Sequence, residues 1–282
     1  MVDNASTDDT AEVIRTEGQS PGVPVRACIV EANIGGAGGF ALGMERALEL
    51  GSDWIWLMDD DSKPEPEALA ELLAAATRLR DSPGGPIGFL ASRVLWTDGM
   101  PHAMNTPGRM SRGAAPTSPP GLEPVDYASF VSLLVNATAV RACGLPIAEF
   151  FIGSDDVEFS WRLTRGGFAG YHVERSRVWH LTKSNVGMDV WRLEGKPSDL
   201  ERLALKIRNL VAVNRRRRLG WLRESVRVIL LPVVWWWRGM AAPERRSLTQ
   251  AARAGLFWRY ESLIRFADSA PEARHAHSAD PA

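Results

Sequence analysis

Three adjacent aspartates, Asp59, Asp60 and Asp61, directly follow an apolar stretch from Trp54 to Met58 that predicts a buried strand. Adjacent carboxylates repel one another unless a proton or a cation relieves the repulsion. Side chains alternate along extended backbone, so Asp59 and Asp61 can share one face while Asp60 points away. Carboxylate oxygens are the ligands that Mg²⁺ and Mn²⁺ prefer. The pattern predicts a divalent-metal site; the alternative is a solvated acidic turn that caps the following helix.

A glycine-rich segment, Asn33 to Gly39 (NIGGAGG), lies between a predicted strand and a predicted helix. Its glycines let the backbone approach a ligand closely, and its amides lie at a helix N-terminus, where anions bind. The spacing matches neither the G-x-G-x-x-G dinucleotide motif nor a P-loop, which needs a Lys followed by Ser or Thr. The segment therefore predicts contact with an anionic ligand, with a ligand-free flexible turn as the alternative.

A second acidic cluster (DDVE) begins at Asp155 and opens a short predicted helix. Asp155 suits a helix N-cap with Glu158 as its partner, and Arg162 lies one turn further on for an ion pair with Glu158. Asp156 then remains as the candidate general base. His180 lies in a strand-like stretch with aromatic neighbours, where a lone histidine is more often a packed residue than a ligand.

Alternating strand-like and helix-like stretches fill the first two thirds of the chain and must position these side chains. Fully apolar or alternating runs predict strands, and apolar residues at helical spacing predict helices. The predicted strands cover residues 25–30, 54–58, 87–96, 127–135 and 171–182, and the predicted helices cover residues 40–50, 69–79, 157–165 and 200–211. This order predicts an α/β fold with a mostly parallel sheet, whose carboxyl strand ends carry the ligand site.

Two connecting segments carry local signals. Ser62, three residues before Glu65, predicts a capping box at the start of the helix over 69–79. The segment from Thr97 to Glu123 is rich in Pro, Gly, Ser and Thr. A loop this long usually serves a functional site or is disordered, so we expect an irregular excursion there.

The composition of the 282 residues, 45% hydrophobic and 24% charged, is that of a folded protein. Only two cysteines occur, Cys28 and Cys143, which excludes a disulfide framework and predicts two core thiols in a reducing compartment.

The N-terminus has no signal-peptide pattern. The longest apolar run, Val228 to Trp237, is about half as long as the ~20 residues of a spanning helix and contains Pro232.

Charge is distributed unevenly along the chain, although the formal net charge is only −1. Residues 192–265 hold 17 basic and 6 acidic residues, a net charge of +11, and the remainder carries −12. Arg215 to Arg218 and further arginines surround Trp221 and the run from Trp235 to Trp237, a mixture that suits an anionic membrane surface. The alternative is a helical extension whose tryptophans pack on the body. No nucleic-acid module accompanies the segment, so we expect no nucleic-acid partner.

Together these motifs resemble glycosyltransferase family 2, inverting enzymes with the GT-A nucleotide-sugar-binding fold. The resemblance spans residues 1–182, and its motifs lie at Val2 to Asp8 (VDNASTD), Asn33 to Gly39, Trp56 to Asp61 (WLMDDD), Asp155 to Arg162 and Trp179-His180. The glycine-rich segment, the triple aspartate and the Trp-His pair are most similar to the galactofuranosyltransferase branch, which builds bacterial cell-wall galactan, with rhamnosyltransferases close by.

The resemblance implies a role for each matched residue. Asp3 would hold the uracil base. The metal-binding D-x-D positions would be Asp59 and Asp61, with His180 completing a site for Mn²⁺ or Mg²⁺, and Asp156 would be the catalytic base. The remaining residues implied on the nucleotide side of the site are Asn33, Gly35, Gly36 and Asp60.

The implied reaction is a single in-line displacement that inverts the anomeric carbon and moves a sugar from a UDP-sugar to a lipid-linked or polymeric cell-wall glycan. UDP-galactofuranose is the first candidate donor. The predicted localisation is cytoplasmic, peripheral on the inner face of the plasma membrane. The alternative is a catalytically weak nucleotide-sugar-binding or scaffold paralogue.

Two departures from the family pattern affect these expectations. The family normally has a strand and a helix before the VDNAS segment, so the chain is expected to be a fragment, a product of a misplaced start or a degraded paralogue that folds poorly or binds donor weakly. Gly153-Ser154 replaces bulkier residues, which leaves acceptor preference open. The expected domains are a GT-A domain over 1–190, a basic, Trp-rich helical extension over 191–268 and a disordered tail over 269–282.

Overall fold

The computed structural model describes residues 1–17, 24–80, 85–109, 118–185, 189–193, 199–216 and 220–260. The strands are β1 (Val2–Asp3), β2 (Cys28–Ile29), β3 (Trp54–Leu57), β4 (Ser62–Pro64), β5 (Ile87–Leu95), β6 (Leu122–Val125), β7 (Leu133–Asn136) and β8 (Ala169–His180). The helices are α1 (Thr10–Glu17), α2 (Gly35–Glu49), α3 (Ala68–Leu79), α4 (Ala137–Cys143), α5 (Asp155–Arg165), α6 (Leu200–Asn214), α7 (Gly220–Trp237) and α8 (Ala242–Phe257). Short 3₁₀ turns lie at Phe130–Ser132 and Ala148–Phe150.

A central six-stranded sheet flanked by helices confirms the predicted α/β class. The strand order is β3-β7-β5-β8-β4, and β6 also pairs with β8. The pairing differs from the expected mostly parallel sheet, because β5 and β8 form the parallel pair and the other four pairs are antiparallel. Parallel neighbours need a long crossover connection, and β7 instead returns between β3 and β5 in the opposite direction. β1 and β2 form a separate parallel pair.

The two faces of the sheet are covered by different helices. Leu90 and Leu134 pack with α3 on one face, and Phe89 and Val135 pack with α2 and α5 on the other. Successive strand residues point to opposite faces, so neighbouring positions of β5 and β7 enter different clusters. Packing of the helices α2, α3 and α5 on the two faces thereby fixes the sheet, and the fixed sheet positions the ends of β3 and β8.

Two local predictions are corrected. α2 begins at Gly35 rather than at residue 40, so the glycine-rich segment forms the first turns of a helix. Ser62 does not cap α3, because it lies in β4 and α3 begins at Ala68 after Glu67. The residues from Ser62 to Pro64 instead pair with the end of β8, and this long-range pairing overrides the local capping signal.

The C-terminal helices α6, α7 and α8 surround a hydrophobic cluster of their own, which includes Ile207, Leu231 and Leu248. Trp235 is fully buried there, and its indole N–H donates to the Val190 carbonyl at 2.8 Å. Trp235 therefore packs among the C-terminal helices themselves, whereas Trp221, Trp236 and Trp237 are exposed. The domain boundaries near residues 190 and 268 stay predictions, and the predicted tail over 269–282 lies outside the described residues.

Candidate active site

Asp59, Asp61 and His180 form a compact Asp-Asp-His group at one edge of the sheet. Asp59 and Asp61 follow the end of β3, and the pairing of Ser62 with His180 brings the end of β8 beside them. One ligand atom from each of the three residues lies within 4.8 Å of the others. Two carboxylates and an imidazole suit Mn²⁺ and also accept Mg²⁺. The structure thus brings together the three residues predicted as metal ligands.

The hydrogen bonds of His180 fit a metal ligand. Its Nδ1 lies 2.8 Å from Asn105 Oδ1, and the Asn105 amide nitrogen donates to Ser129 Oγ at 3.0 Å. This network assigns the proton to Nδ1, which leaves the Nε2 lone pair facing Asp61 Oδ1 at 2.9 Å. A lone pair and a carboxylate oxygen at this distance require either a proton or a cation between them. The group is therefore built to hold a positive charge.

Asn105 was not predicted from the sequence. It lies in the irregular segment after β5, and His102 of the same segment packs against His180 with the rings tilted by 41° and 4.7 Å between their centroids. The buried His102 is held by Thr182 Oγ1, 2.8 Å from its Nε2. The sequence signal that could have indicated these residues is the length of the Pro- and Gly-rich segment from Thr97 to Glu123, because loops of this length usually serve a functional site.

Burial and neighbouring carboxylates raise the pKa of Asp59. Burial is the largest cause for Asp59, and the charges of Asp61, Asp155 and Asp60 add to it, raising the pKa of Asp59 to about 7. Carboxylates crowd together in this way where a cation neutralises them in the working state. Asp60 is the exposed member of the triple aspartate.

Asp156 lies at the start of α5, facing the same acidic site. Its Oδ1 accepts the Val157 N–H at 2.7 Å. Burial raises the pKa of Asp156, and the charges of Asp155 and Asp59 raise it further. A carboxylate whose pKa lies above the ordinary range is a stronger base near neutral pH, which fits the predicted role.

The structural roles predicted for the neighbours of Asp156 are partly revised. Asp155 is the first residue of α5, after the N-cap Ser154, and burial raises its pKa. Glu158 does not cap the helix with Asp155; it forms the expected ion pair with Arg162 at 3.0 Å. Arg162 also donates to the Gly144 and Leu145 carbonyls, so this pair joins α5 to the chain after α4.

Asp3 lies on β1 with an unsatisfied acceptor. The residue is 3% exposed, its Oδ1 accepts the Ser6 N–H at 3.1 Å, and its Oδ2 is buried with no hydrogen-bond partner among the described residues. A buried carboxylate oxygen left in this state is costly unless a ligand donates to it. The predicted partner, an N–H of a nucleobase, is a donor of the required type.

The glycine-rich start of α2 is tied to neighbouring segments. Asn33 Oδ1 accepts from the Gly35 N–H at 2.8 Å and from the Asn4 side chain at 3.1 Å. Gly35 has a φ of +74°, and a Cβ there would lie 2.3 Å from the Phe151 carbonyl oxygen. Close packing on Phe151 therefore explains this glycine, whereas Gly36 has open space around it.

A helix-flanked sheet whose strand ends carry these carboxylates, and whose sequence motifs occur in the same order, defines a class of protein: the glycosyltransferases of the GT-A fold. The chain belongs to the family described as Glycosyltransferase like family 2, whose model matches residues 1–193. This match confirms the family resemblance found in the sequence.

Named relatives and a solved structure agree with the family. Galactofuranosyltransferase GlfT1 of Mycolicibacterium smegmatis is 33% identical over 180 residues, 59% of this chain and 55% of that protein. Galactofuranosyltransferase GlfT1 of Mycobacterium tuberculosis is 33% identical over 147 residues, 48% of this chain and 45% of that protein. The chain spans about half the length of these curated relatives. A crystal structure of GalNAc-T7 with UDP, GalNAc and Mn²⁺ shares the fold, with a TM-score of 0.53 and 15% identity over 79% of this chain and 44% of that chain.

The raised pKa of Asp59 predicts a pH-dependent stability in the absence of metal. The folded chain holds this proton more tightly than the unfolded chain, so the stabilisation is complete below about pH 4 and is lost as the pH rises through about 7. Mn²⁺ bound at this group would replace the proton, so about 1 mM Mn²⁺ is expected to raise the melting temperature by several degrees at about pH 7.5 and much less at about pH 5.5. Thermal unfolding at the two pH values measures this.

Asp59→Asn is the control for that prediction. The variant removes the titrating group, so its metal-free form is expected to be more stable than wild type at about pH 7.5 and to gain little from Mn²⁺. Equal stabilisation of wild type and Asp59→Asn by Mn²⁺ would place the ion elsewhere.

Proposed function

We propose that the chain is an inverting, metal-dependent glycosyltransferase that moves a sugar from a UDP-sugar to a lipid-linked or polymeric cell-wall glycan. The observation that carries the proposal is the Asp-Asp-His group with the carboxylate Asp156 facing it. Galactofuranose is the proposed sugar, because the named relatives are galactofuranosyltransferases.

The side chains divide the reaction between them. Asp59, Asp61 and His180 would hold Mn²⁺ or Mg²⁺, which neutralises the charge of the departing diphosphate when bound. Asp156 accepts the proton of the acceptor hydroxyl as that oxygen bonds to the anomeric carbon and the bond to the diphosphate breaks. Asp3 accepts the imide N–H of uracil through Oδ2, which no group of the described residues contacts by a hydrogen bond. Attack opposite the leaving group inverts the anomeric carbon, and no covalent enzyme intermediate forms.

Release of UDP from a panel of donors tests this proposal. We expect the purified chain to release UDP from UDP-galactofuranose faster than from UDP-galactopyranose or UDP-N-acetylglucosamine, and only with Mn²⁺ or Mg²⁺ present. A synthetic lipid-linked glycan should increase the rate further. Metal-dependent binding without turnover of any donor would favour the alternative, a weak nucleotide-sugar-binding or scaffold paralogue. Absence of binding by the folded chain would overturn both.

We also propose that the C-terminal helices attach the protein to an anionic membrane surface, on the inner face of the plasma membrane. Among the described residues, no helix is long and apolar enough to cross a bilayer. One side of α7 packs inward through Val228, Leu231 and Trp235. The opposite side is an exposed apolar face made of Leu222, Val226, Ile229, Leu230, Val233, Trp236 and Trp237.

The charge around this face supports an anionic surface as the partner. Trp236 and Trp237 are 64% and 79% exposed, and the residues of the apolar face include no acid. The neighbouring helix α8 exposes Arg246 and Arg253. A helix of this kind lies in the plane of the interface, with its apolar face among the acyl chains and arginines near the headgroups.

Co-sedimentation with vesicles is expected to show binding to phosphatidylglycerol-containing membranes that weakens with salt. Trp236→Ser/Trp237→Ser should reduce the bound fraction about 10-fold or more, because each large apolar side chain contributes about 1.5–3 kcal/mol of transfer free energy. Leu50→Ser, at a residue 57% exposed directly after α2, is the matched control and should bind like wild type. Equal binding of all three proteins would contradict attachment through α7.

A further inference from the structure

The turn that leads into the candidate base has an unusual backbone. Phe151, Gly153 and Ser154 have φ values of +60°, +82° and +62°. For Phe151 and Ser154, which are not glycines, such values cost free energy and persist only where surrounding structure holds them. Whatever holds this turn sets the position of Asp155 and Asp156, the first two residues of α5.

Asn209 of helix α6 holds the turn from one side. The residue is fully buried, and its side-chain amide donates to the carbonyls of Phe150, Ile152 and Gly153 at 2.8, 2.9 and 2.9 Å. The two hydrogens of this NH₂ group are thus shared among three of the four carbonyls between residues 150 and 153. Arg208 adds a bond to the Glu149 carbonyl at 2.7 Å.

The turn is also closed by its other neighbours. The Ala37 N–H at the start of α2 donates to the Phe151 carbonyl at 3.2 Å. Gly153 lies against Lys206 of α6, where a Cβ would come 2.8 Å from Lys206 Cγ. Behind this contact, Gly255 of α8 approaches α6 so closely that a Cβ would lie 2.2 Å from the Arg208 carbonyl oxygen. Helix α6 is therefore fixed on both sides.

We propose that Asn209 is a positioning residue for Asp156, so that the C-terminal helices complete the active site. The inference rests on the proposed function, in which Asp156 is the base. Asn209 is fully buried behind the turn and acts through the three carbonyls that fix the backbone before α5. A small displacement of a reacting group is enough to lower a rate about 100-fold.

Asn209→Ala is expected to lower kcat about 10- to 100-fold while KM for the donor and calorimetric UDP binding with Mn²⁺ stay within about twofold of wild type. Asn209→Asp should lower kcat at least as much, because it removes the N–H donors and sets a carboxylate against three carbonyls. Val211→Ala, also buried on α6 but packed in the helical cluster, is the control for lost stability. Equal loss of kcat in Val211→Ala and Asn209→Ala would overturn the proposal.

Hydrogen exchange of the backbone amides over residues 151–157 tests the positioning role of Asn209 independently of the proposed function, because it does not require transferase activity. Asn209→Ala should speed their exchange about 10-fold or more relative to wild type and Val211→Ala. If wild type has no transferase activity, the proposed function fails, and unchanged exchange would independently overturn the positioning role. If Asn209→Ala does not fold, Asn209→Ser, which keeps one donor, should show an intermediate exchange rate and kcat; wild-type values for both would overturn the proposal.

Discussion

Asp156→Asn is expected to lower the turnover number about 1000-fold and to leave the affinity for UDP and Mn²⁺ within about twofold of wild type. The amide oxygen can still accept the hydrogen bond that Val157 N–H donates to Asp156 Oδ1, so the start of α5 is preserved. The amide cannot take a proton from the acceptor hydroxyl. Initial rates of UDP release and calorimetric titration measure the two quantities.

Asp155→Asn is the matched control, because it changes the neighbouring carboxylate of the same helical turn. The base must be ionised, so kcat/KM rises as the pH rises through its pKa. The charge of Asp155 raises the pKa of Asp156, and removing that charge lowers this pKa. The acidic limb of the profile should therefore move to lower pH in Asp155→Asn, with turnover kept within about tenfold. A greater loss of turnover in Asp155→Asn than in Asp156→Asn would contradict the prediction and indicate that Asp155 is the base.

The carboxylates of the site could be predicted from the sequence because local patterns carry them. Asp59 and Asp61 come shortly after an apolar strand, and Asp156 lies in the first turn of a helix. His180 needed the family resemblance, because its place in the site depends on the pairing of β4 with β8. The sequence around Ser62 favoured a helix cap instead, and a contact between residues more than 100 positions apart leaves no local signal.

The supporting residues could not be predicted from the sequence for a related reason. Asn105 and Asn209 are neutral residues that belong to no motif in the sequence. Their hydrogen bonds reach residues that are 75 and 59 positions away along the chain. An asparagine in a loop or a helix is usually a solvated surface residue. Only the folded structure shows that one asparagine orients His180 and the other fixes the turn before Asp155. The carboxylates proposed to do the chemistry thus carry local sequence signals, whereas His180 and the asparagines that position the site depend on tertiary packing.

Asp59→Asn/Asp61→Asn is expected to abolish the effect of Mn²⁺ on UDP binding and to weaken UDP affinity in Mn²⁺ about 100-fold or more. Loss of a residue that merely orients a ligand costs about 10- to 100-fold in metal affinity, and this variant removes two ligands. His180 alone supplies no negative charge to hold a divalent cation. Calorimetric titration of UDP with and without Mn²⁺ measures the effect, and thermal unfolding checks the fold.

Asp3→Asn separates the nucleobase contact from the metal. Its buried Oδ2 has no hydrogen-bond partner within the described part of the chain, so the substitution removes the proposed acceptor for uracil but leaves the Asp-Asp-His group unchanged. We expect Asp3→Asn to bind UDP more weakly than wild type by the same factor with and without Mn²⁺.

The double variant Asp59→Asn/Asp61→Asn should lose only the metal-dependent part of the UDP affinity, because its uracil contact is intact. If Mn²⁺ still strengthened UDP binding in the double variant, the cation would lie outside the Asp-Asp-His group, and the assignment of the donor diphosphate to that group would fail with it.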